Sequence, residues 1–305
     1  MLIDQRWTEL VPTHWGSQVM IMCKLVLALF AVVMATSKSS PKKLPETVHF
    51  PTANGSVTLV GFLFKPQGGG PHPAIVMLHG RAGPYSSAAH GKYDATTLSK
   101  RHKEWGEFWA ARGYIALLVD SFSARGFAEG FPRGSYADRP DAVSEQAVRP
   151  LDAYGAHKYL RSRHDVSADR IGVQGWSNGG MTVLVTMGDQ APGISNPTAT
   201  TGFRAALAEY PGCGMDAVKG EWKPYAPVLM LLSSADEEVS PKRCESFAKR
   251  AQKSGGSLEY HVFEGAEHNY DDPGEKKQSN PANASATTET RRMAESFFAK
   301  ALGAP

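Results

Sequence analysis

Three residues in this chain are of the types needed for nucleophilic attack on an acyl carbon: Ser177, Asp236 and His268. Ser177 lies in Gly175-Trp176-Ser177-Asn178-Gly179, a G-x-S-x-G pattern. Short apolar residues from Ile171 lead in, and a helical run, Met181 to Met187, leads out. A serine on so tight a strand-to-helix turn takes strained dihedrals that expose its hydroxyl above the sheet edge. The backbone crowds there, so the positions two before and two after must lack a Cβ. The helix that follows offers the Asn178 N–H to a developing oxyanion. With 30 glycines in the chain the letters alone are weak evidence, and the strand and helix around them supply the weight.

The acid and the base come from later turns. An apolar strand at 227–233 runs into Ser234-Ala235-Asp236-Glu237-Glu238, and another at 258–263 runs into Glu264-Gly-Ala-Glu-His268. Alone, each is a solvated loop charge or a surface histidine. Together they give the chain order serine, acid, histidine, which belongs to α/β-hydrolases rather than to chymotrypsin or subtilisin. Asp236 is preferred as the acid because it is nearer the strand end, with Glu237 the alternative. A second oxyanion donor is expected after the strand ending in His79-Gly80-Arg81-Ala82-Gly83; the Arg81 N–H is the candidate, with Ala82 next. His79 reads as structural. Tyr85, Trp176 and Arg125 are candidate substrate contacts. The Arg81 and Arg125 side chains could face a substrate carboxylate, while Arg125 could equally brace its own loop through a salt bridge.

These residues need a scaffold that gathers strand ends at one edge. Pro73–His79, Tyr114–Asp120 and the strand from Ile171 are continuous apolar runs, as strands buried on both faces are. Asn54-Gly55 signals a hairpin between strands at Thr47–Pro51 and Val57–Phe64. Trp105, Phe108 and Trp109 form the buried stripe of a helix. Further helices are expected at Asp141–Arg163, Pro241–Ser254 and Thr290–Leu302, and strands at Phe203–Tyr210, Pro227–Ser233 and Leu258–Phe263. Strands alternating with helices imply an α/β fold, a mostly parallel sheet covered on both faces. Residues 84–103 form a polar loop long enough to shape a site. Only the short segment Pro211–Ala226 separates two late strands.

Composition narrows the class. A 42% hydrophobic and 21% charged chain of 305 residues suits one soluble domain, and a net charge of +3 is too small to indicate nucleic acid. The cysteines at 23, 213 and 244 lack metal-ligand spacing, so no metal or other cofactor is expected. Residues 25–35 are an apolar run of signal-peptide length, preceded by Lys24 and followed by small residues. Residues 1–37 thus read as an N-terminal extension and signal peptide, with Met20 or Met22 a more ordinary start, and residues 45–303 as the folded domain. The alternative is an uncleaved membrane anchor. Export to the periplasm or medium leaves Cys213 and Cys244 in an oxidising compartment, where they are expected to pair over neighbouring strand ends. Asn54-Gly-Ser and Asn283-Ala-Ser match the glycosylation sequon.

Taken in order, His79-Gly80-Arg81-Ala82-Gly83, Asp120-Ser-Phe-Ser-Ala-Arg125-Gly126, the Ser177 elbow, Tyr210-Pro-Gly-Cys213, the Ala235-Asp236 turn and Gly265-Ala-Glu-His268 resemble the dienelactone hydrolase family of α/β-hydrolases. The resemblance spans about Pro45 to Leu302. It implies a Ser177–Asp236–His268 triad and a compact fold with no large cap domain, with which the short Pro211–Ala226 segment is consistent. The chain departs from the founding members, which use a cysteine nucleophile, and this argues against dienelactone itself as substrate. The reading is a serine hydrolase acting on a small-molecule ester or lactone, without stable membrane association once the signal is cleaved. The alternatives are a peptidase or acetyl-xylan-type esterase on the same fold, or a non-catalytic binding protein.

Overall fold

The computed structural model describes residues 44–303. The apolar run at 25–35, its cleavage boundary and Cys23 lie outside the described residues. One eight-stranded sheet runs through the fold, in the order β1-β2-β4-β3-β5-β6-β7-β8. Its strands are β1 (Glu46–Pro51), β2 (Thr58–Phe64), β3 (His72–Leu78), β4 (Ile115–Asp120), β5 (Val166–Trp176), β6 (Ala206–Glu209), β7 (Val228–Ser233) and β8 (Leu258–Phe263). The β1–β2 and β2–β4 pairs are antiparallel, and every pairing from β4 through β8 is parallel. In β4 and β7 every residue is buried, which is why they read as unbroken apolar runs.

Helices cover both faces: α1 (Lys100–Ala111), α2 (Arg149–Arg161), α3 (Asn178–Thr186), α4 (Pro241–Lys253), α5 (Glu275–Gln278) and α6 (Pro281–Leu302). One core packs Leu160, Val183 and Phe247 from α2, α3 and α4 beneath Val76, Leu117 and Val173. The other packs Trp105, Trp109 and Phe298 from α1 and α6 beneath Ile75, Leu118 and Leu207. Successive strand residues therefore serve opposite cores, the period of two expected of a pleated sheet. Only a short 3₁₀ turn, Asp216–Val218, interrupts the connection from β6 to β7, so there is no large cap domain among the described residues. This is an α/β-hydrolase fold.

Two helix boundaries differ from the sequence expectation, for the same reason. The helix expected from Asp141 begins at Arg149, with a separate 3₁₀ turn at Asp141–Val143 ahead of it. Pro150 stands in its first turn, the only place in a helix where a missing N–H costs nothing. The last helix begins at Pro281 rather than Thr290, capped by Asn280, whose side chain accepts from Ala282 N at 2.9 Å. Asn283 of the second sequon is fully buried on this helix and donates to Glu267 and to the Lys277 carbonyl, so glycosylation there would disrupt the fold. The expected long strand Phe203–Tyr210 is regular strand only over Ala206–Glu209, while the Ile171 strand extends back to Val166.

Candidate active site

Ser177 sits between β5 and α3 with φ 52° and ψ −112°, a conformation L-residues rarely adopt. The sequence permits it because the flanking glycines leave room: a Cβ on Gly175 would collide with the Gly179 carbonyl, and one on Gly179 with the Leu78 carbonyl. The Ser177 N–H donates to the Glu209 carbonyl at 2.9 Å, tying the turn to β6. Backbone packed on both sides holds this strained turn in place.

That hydroxyl lies 2.9 Å from Nε2 of His268, on the turn after β8. The other ring nitrogen, Nδ1, is 2.8 Å from Oδ2 of Asp236, on the turn after β7. The second oxygen of Asp236 accepts from the Glu238 and Val239 N–H groups, both at 2.8 Å. Its carboxylate therefore cannot rotate away from the imidazole. Both side chains are almost fully buried, at 1% and 2% exposure, so the chain of hydrogen bonds is shielded from competing water. Tyr210 packs edge-on to the imidazole with ring centroids 5.0 Å apart, and Asp271 in turn accepts from the Tyr210 hydroxyl at 2.5 Å.

The oxyanion candidates flank the serine. Asn178 is the first residue of α3, and its N–H has no acceptor among the described residues. The His79–Gly83 turn lies against the elbow, with the Cβ position of Gly80 3.6 Å from the Ser177 Cβ. The Arg81 carbonyl is anchored by the Phe131 N–H at 2.8 Å, while the Arg81 N–H is likewise without an acceptor among the described residues. His79 is buried and accepts from the Ser121 N–H at 3.2 Å, the structural part expected of it. Burial first, and then the charge of Arg149, hold its pKa well below the ordinary value, so it stays neutral.

The remaining candidates are placed differently from one another. The Arg81 guanidinium grips Glu238 with two hydrogen bonds, 3.0 and 2.9 Å, and donates to the Phe131 carbonyl. Arg125 is turned away from the serine: it holds Asp152 at 2.7 and 3.0 Å and the Ser121 carbonyl at 2.6 Å, bracing its loop on α2 rather than facing a ligand. Trp176 is wholly buried beneath the elbow against His102 and Trp105, out of reach of a substrate. Tyr85 does line the cleft, but its hydroxyl is committed to Asp120 at 2.7 Å. Cys213 and Cys244 form a disulfide with Cα atoms 5.0 Å apart, and Cys213 lines the cleft near Ser177.

Sequence reasoning missed Glu238. It lies in the cleft with Oε2 3.9 Å from His268 Nε2. Burial alone would raise its pKa, but the Arg81 hydrogen bonds and then the charges of His268, Arg81 and Arg133 hold it below the usual carboxylate value. Its only signal was its position, two residues past the acid.

The family model of the dienelactone hydrolase family matches residues 59–302, from β2 to the end of α6. The chain belongs to the dienelactone hydrolase family. A Bradyrhizobium protein named "Probable 2-oxo-3-(5-oxofuran-2-ylidene)propanoate lactonase" is 27% identical over 223 residues, 70% of this chain and 79% of the relative. The fold is similar to a thermophilic esterase of the planctomycete Thermogutta terrifontis, solved with propionate bound. That match has a TM-score of 0.58 at 20% identity and covers 86% of this chain and 96% of the esterase. The same esterase phosphorylated by paraoxon superposes with a TM-score of 0.57 at 19% identity, covering 85% and 95%.

Proposed function

We propose that this chain is a serine hydrolase that cleaves carboxylic esters or lactones through an acyl-enzyme on Ser177. The observation that carries this reading is the unbroken hydrogen-bonded series Ser177 Oγ, His268 Nε2, His268 Nδ1, Asp236 Oδ2, at 2.9 and 2.8 Å. His268 takes the Ser177 proton as Oγ attacks the ester carbonyl. Asp236 holds the tautomer with its proton on Nδ1 and stabilises the imidazolium that forms. The N–H groups of Asn178 and Arg81 receive the oxyanion. His268 then gives its proton to the departing alcohol, and water returns by the reverse path to release the acid. Membership of the dienelactone hydrolase family supports ester or lactone substrates.

Several features support the parts of this reading that lie outside the triad. The Cys213–Cys244 disulfide supports export to an oxidising compartment, since such bonds rarely persist in the reducing cytosol. Among the described residues no helix is long and apolar enough to cross a membrane. The intact acid–histidine–serine series, with its strained and supported serine, argues against a purely binding role.

The test is hydrolysis of short-chain nitrophenyl esters, with peptide anilides in the same panel. Ser177→Ala is expected to remove ester turnover by several orders of magnitude, on the order of the millionfold seen when a triad serine is removed from subtilisin. A purified Ser177→Ala protein that keeps most of its activity would refute the assignment.

A further inference from the structure

Two cavities open from Ser177, and their walls differ in chemistry. One, of about 390 Å³, lies on the histidine side: His268 is in its wall, with Ser86, Ser87, Lys100, Arg101 and Asp272. The other, of about 500 Å³, lies on the helix side: Asn178 is in its wall, and His268 is not among the described residues that line it. Met181, Cys213, Met215 and Val239 line it, together with the paired Arg81 and Glu238. Ser177 and Arg81 belong to both walls, so the nucleophile stands at the boundary.

The direction of proton flow assigns the two. In acylation the bond between the acyl carbon and the alcohol oxygen breaks, and that oxygen must take its proton from His268 Nε2. The alcohol therefore has to leave on the histidine side. The carbonyl oxygen points to the Asn178 and Arg81 N–H groups, which directs the acyl chain toward the helix side. We propose that the histidine-side cavity is the alcohol site and the Met181 cavity the acyl site, and that the substrates are short-chain acyl esters of polar, hydroxylated alcohols. This rests on the hydrolase reading given above.

The walls fit those occupants. On the alcohol side Arg101 is held in place by Asn269 at 3.3 Å and Asp272 at 3.1 Å, beside two serine hydroxyls and the Lys100 ammonium. Such a wall offers donors and acceptors to hydroxyl groups and little surface to an alkyl alcohol. On the acyl side Met181 and Met215 are buried and apolar, adaptable to small alkyl groups. Charge shares that wall: Arg133, Arg139 and Arg243 also line it, with the largely buried Arg139 paired to Glu145 at 2.6 Å. A long acyl chain would have to lie against these guanidinium groups and desolvate them, whereas acetyl to butyryl chains are small enough to be met by the methionines.

Acylation and deacylation separate the two sites. Once the alcohol has gone, only the acyl group remains bound, and the water that takes the alcohol's place beside His268 is too small to feel bulk added at the far wall of that cavity. The experiment compares the wild type with Ser87→Trp, at an exposed position of the alcohol side, and Val239→Phe on the acyl side. Substrates are nitrophenyl acetate, nitrophenyl butyrate, ethyl acetate and a monoacetylated glucose, with single-turnover rates read for both half-reactions. Wild type is expected to prefer acetylated glucose over ethyl acetate. Ser87→Trp should lower kcat/KM for acetylated glucose by roughly tenfold or more, with acyl-enzyme hydrolysis unchanged. Val239→Phe should lower the butyrate-to-acetate ratio by roughly tenfold, whichever alcohol is used.

The assignment is overturned if Ser87→Trp alters acyl-length preference or slows deacylation, if Val239→Phe acts only on alcohol preference, or if neither changes selectivity. A preference of the wild type for ethyl acetate overturns the substrate class. Labelling by a small fluorophosphonate establishes that each variant retains a formed site, and Val239→Leu is read in the same way should the phenylalanine variant not label. A wild-type protein that hydrolyses none of the esters, or an active Ser177→Ala, would instead defeat the hydrolase reading itself.

Discussion

Glu237 accepts a hydrogen bond from the backbone N–H of His268 at 2.9 Å. Its neighbour Asp236 holds the imidazole of the same residue at 2.8 Å, so two consecutive acids divide the work: one grips the ring, the other the main chain. This separates two acids that are indistinguishable by type and nearly so by position. Asp236→Asn is expected to lower kcat by roughly four orders of magnitude, because the amide favours the wrong imidazole tautomer. Glu237→Gln keeps an oxygen that can accept from the same N–H, and its loss should stay below about tenfold. Steady-state kinetics on one nitrophenyl ester measures both. A larger loss in Glu237→Gln than in Asp236→Asn would reverse the assignment.

The elbow glycines give a second expectation, in stability. Gly179→Ala places a methyl group against the Leu78 carbonyl, a backbone atom that cannot move without disturbing β3. Overpacking of this kind costs about 1–3 kcal/mol or more. A lower midpoint of urea unfolding together with lost esterase activity is expected. A variant of native stability and activity would show that the turn is looser than its geometry implies.

Much of this architecture was legible because its signals are local. Strands buried on both faces must be apolar throughout, so β4 and β7 announce themselves, and the elbow needs glycine at two fixed positions. Pro150 marks the start of α2, but the polar residues before it suit a helix equally well, so the boundary is ambiguous from sequence. Pairings between distant segments were not legible. Arg125 meets Asp152 across 27 residues, and Arg81 meets Glu238 across 157. An arginine that binds a substrate and one that braces a loop have the same local sequence, and only the fold decides between them. Trp176 was similarly ambiguous: its place beside Ser177 suggested contact with substrate, but alternation along β5 turns its ring inward.

The disulfide ties the segment after β6 to the start of α4, at a sequence separation of 31. Closing a loop of that length contributes about 3–4 kcal/mol in the chain-entropy model. The double variant Cys213→Ser with Cys244→Ser should therefore unfold at lower urea concentration. Thiol titration of the unfolded, unreduced wild-type domain should find both cysteines blocked. Two free thiols would exclude the bridge.

Buried histidines set the response to acid. His157 on α2 is buried; burial first, and then the charge of Arg161, lower its pKa from 6.5 to about 4. His102 is lowered to about 4 by burial and by Arg101. Between these values the unfolded chain binds protons that the folded chain refuses. Stability is thus fully present above pH 6.5 and is lost as pH falls toward 4, by on the order of 3 kcal/mol per histidine. His157→Gln, distant from Ser177 and still able to donate to the Gly202 carbonyl, should make the fall in Tm with acid shallower. An unchanged slope would show that His157 does not resist protonation in the folded state.

The central claim is that Ser177 is the residue that becomes acylated. Peptide mass spectrometry after reaction with a fluorophosphonate tests it most directly, because the reagent mimics the acyl carbon and stops at the covalent stage. The account predicts one phosphonyl group per chain, carried on Ser177 and absent from Ser177→Ala, with esterase activity lost in proportion to labelling. An adduct on another residue, or full loss of activity with Ser177 unmodified, would contradict it.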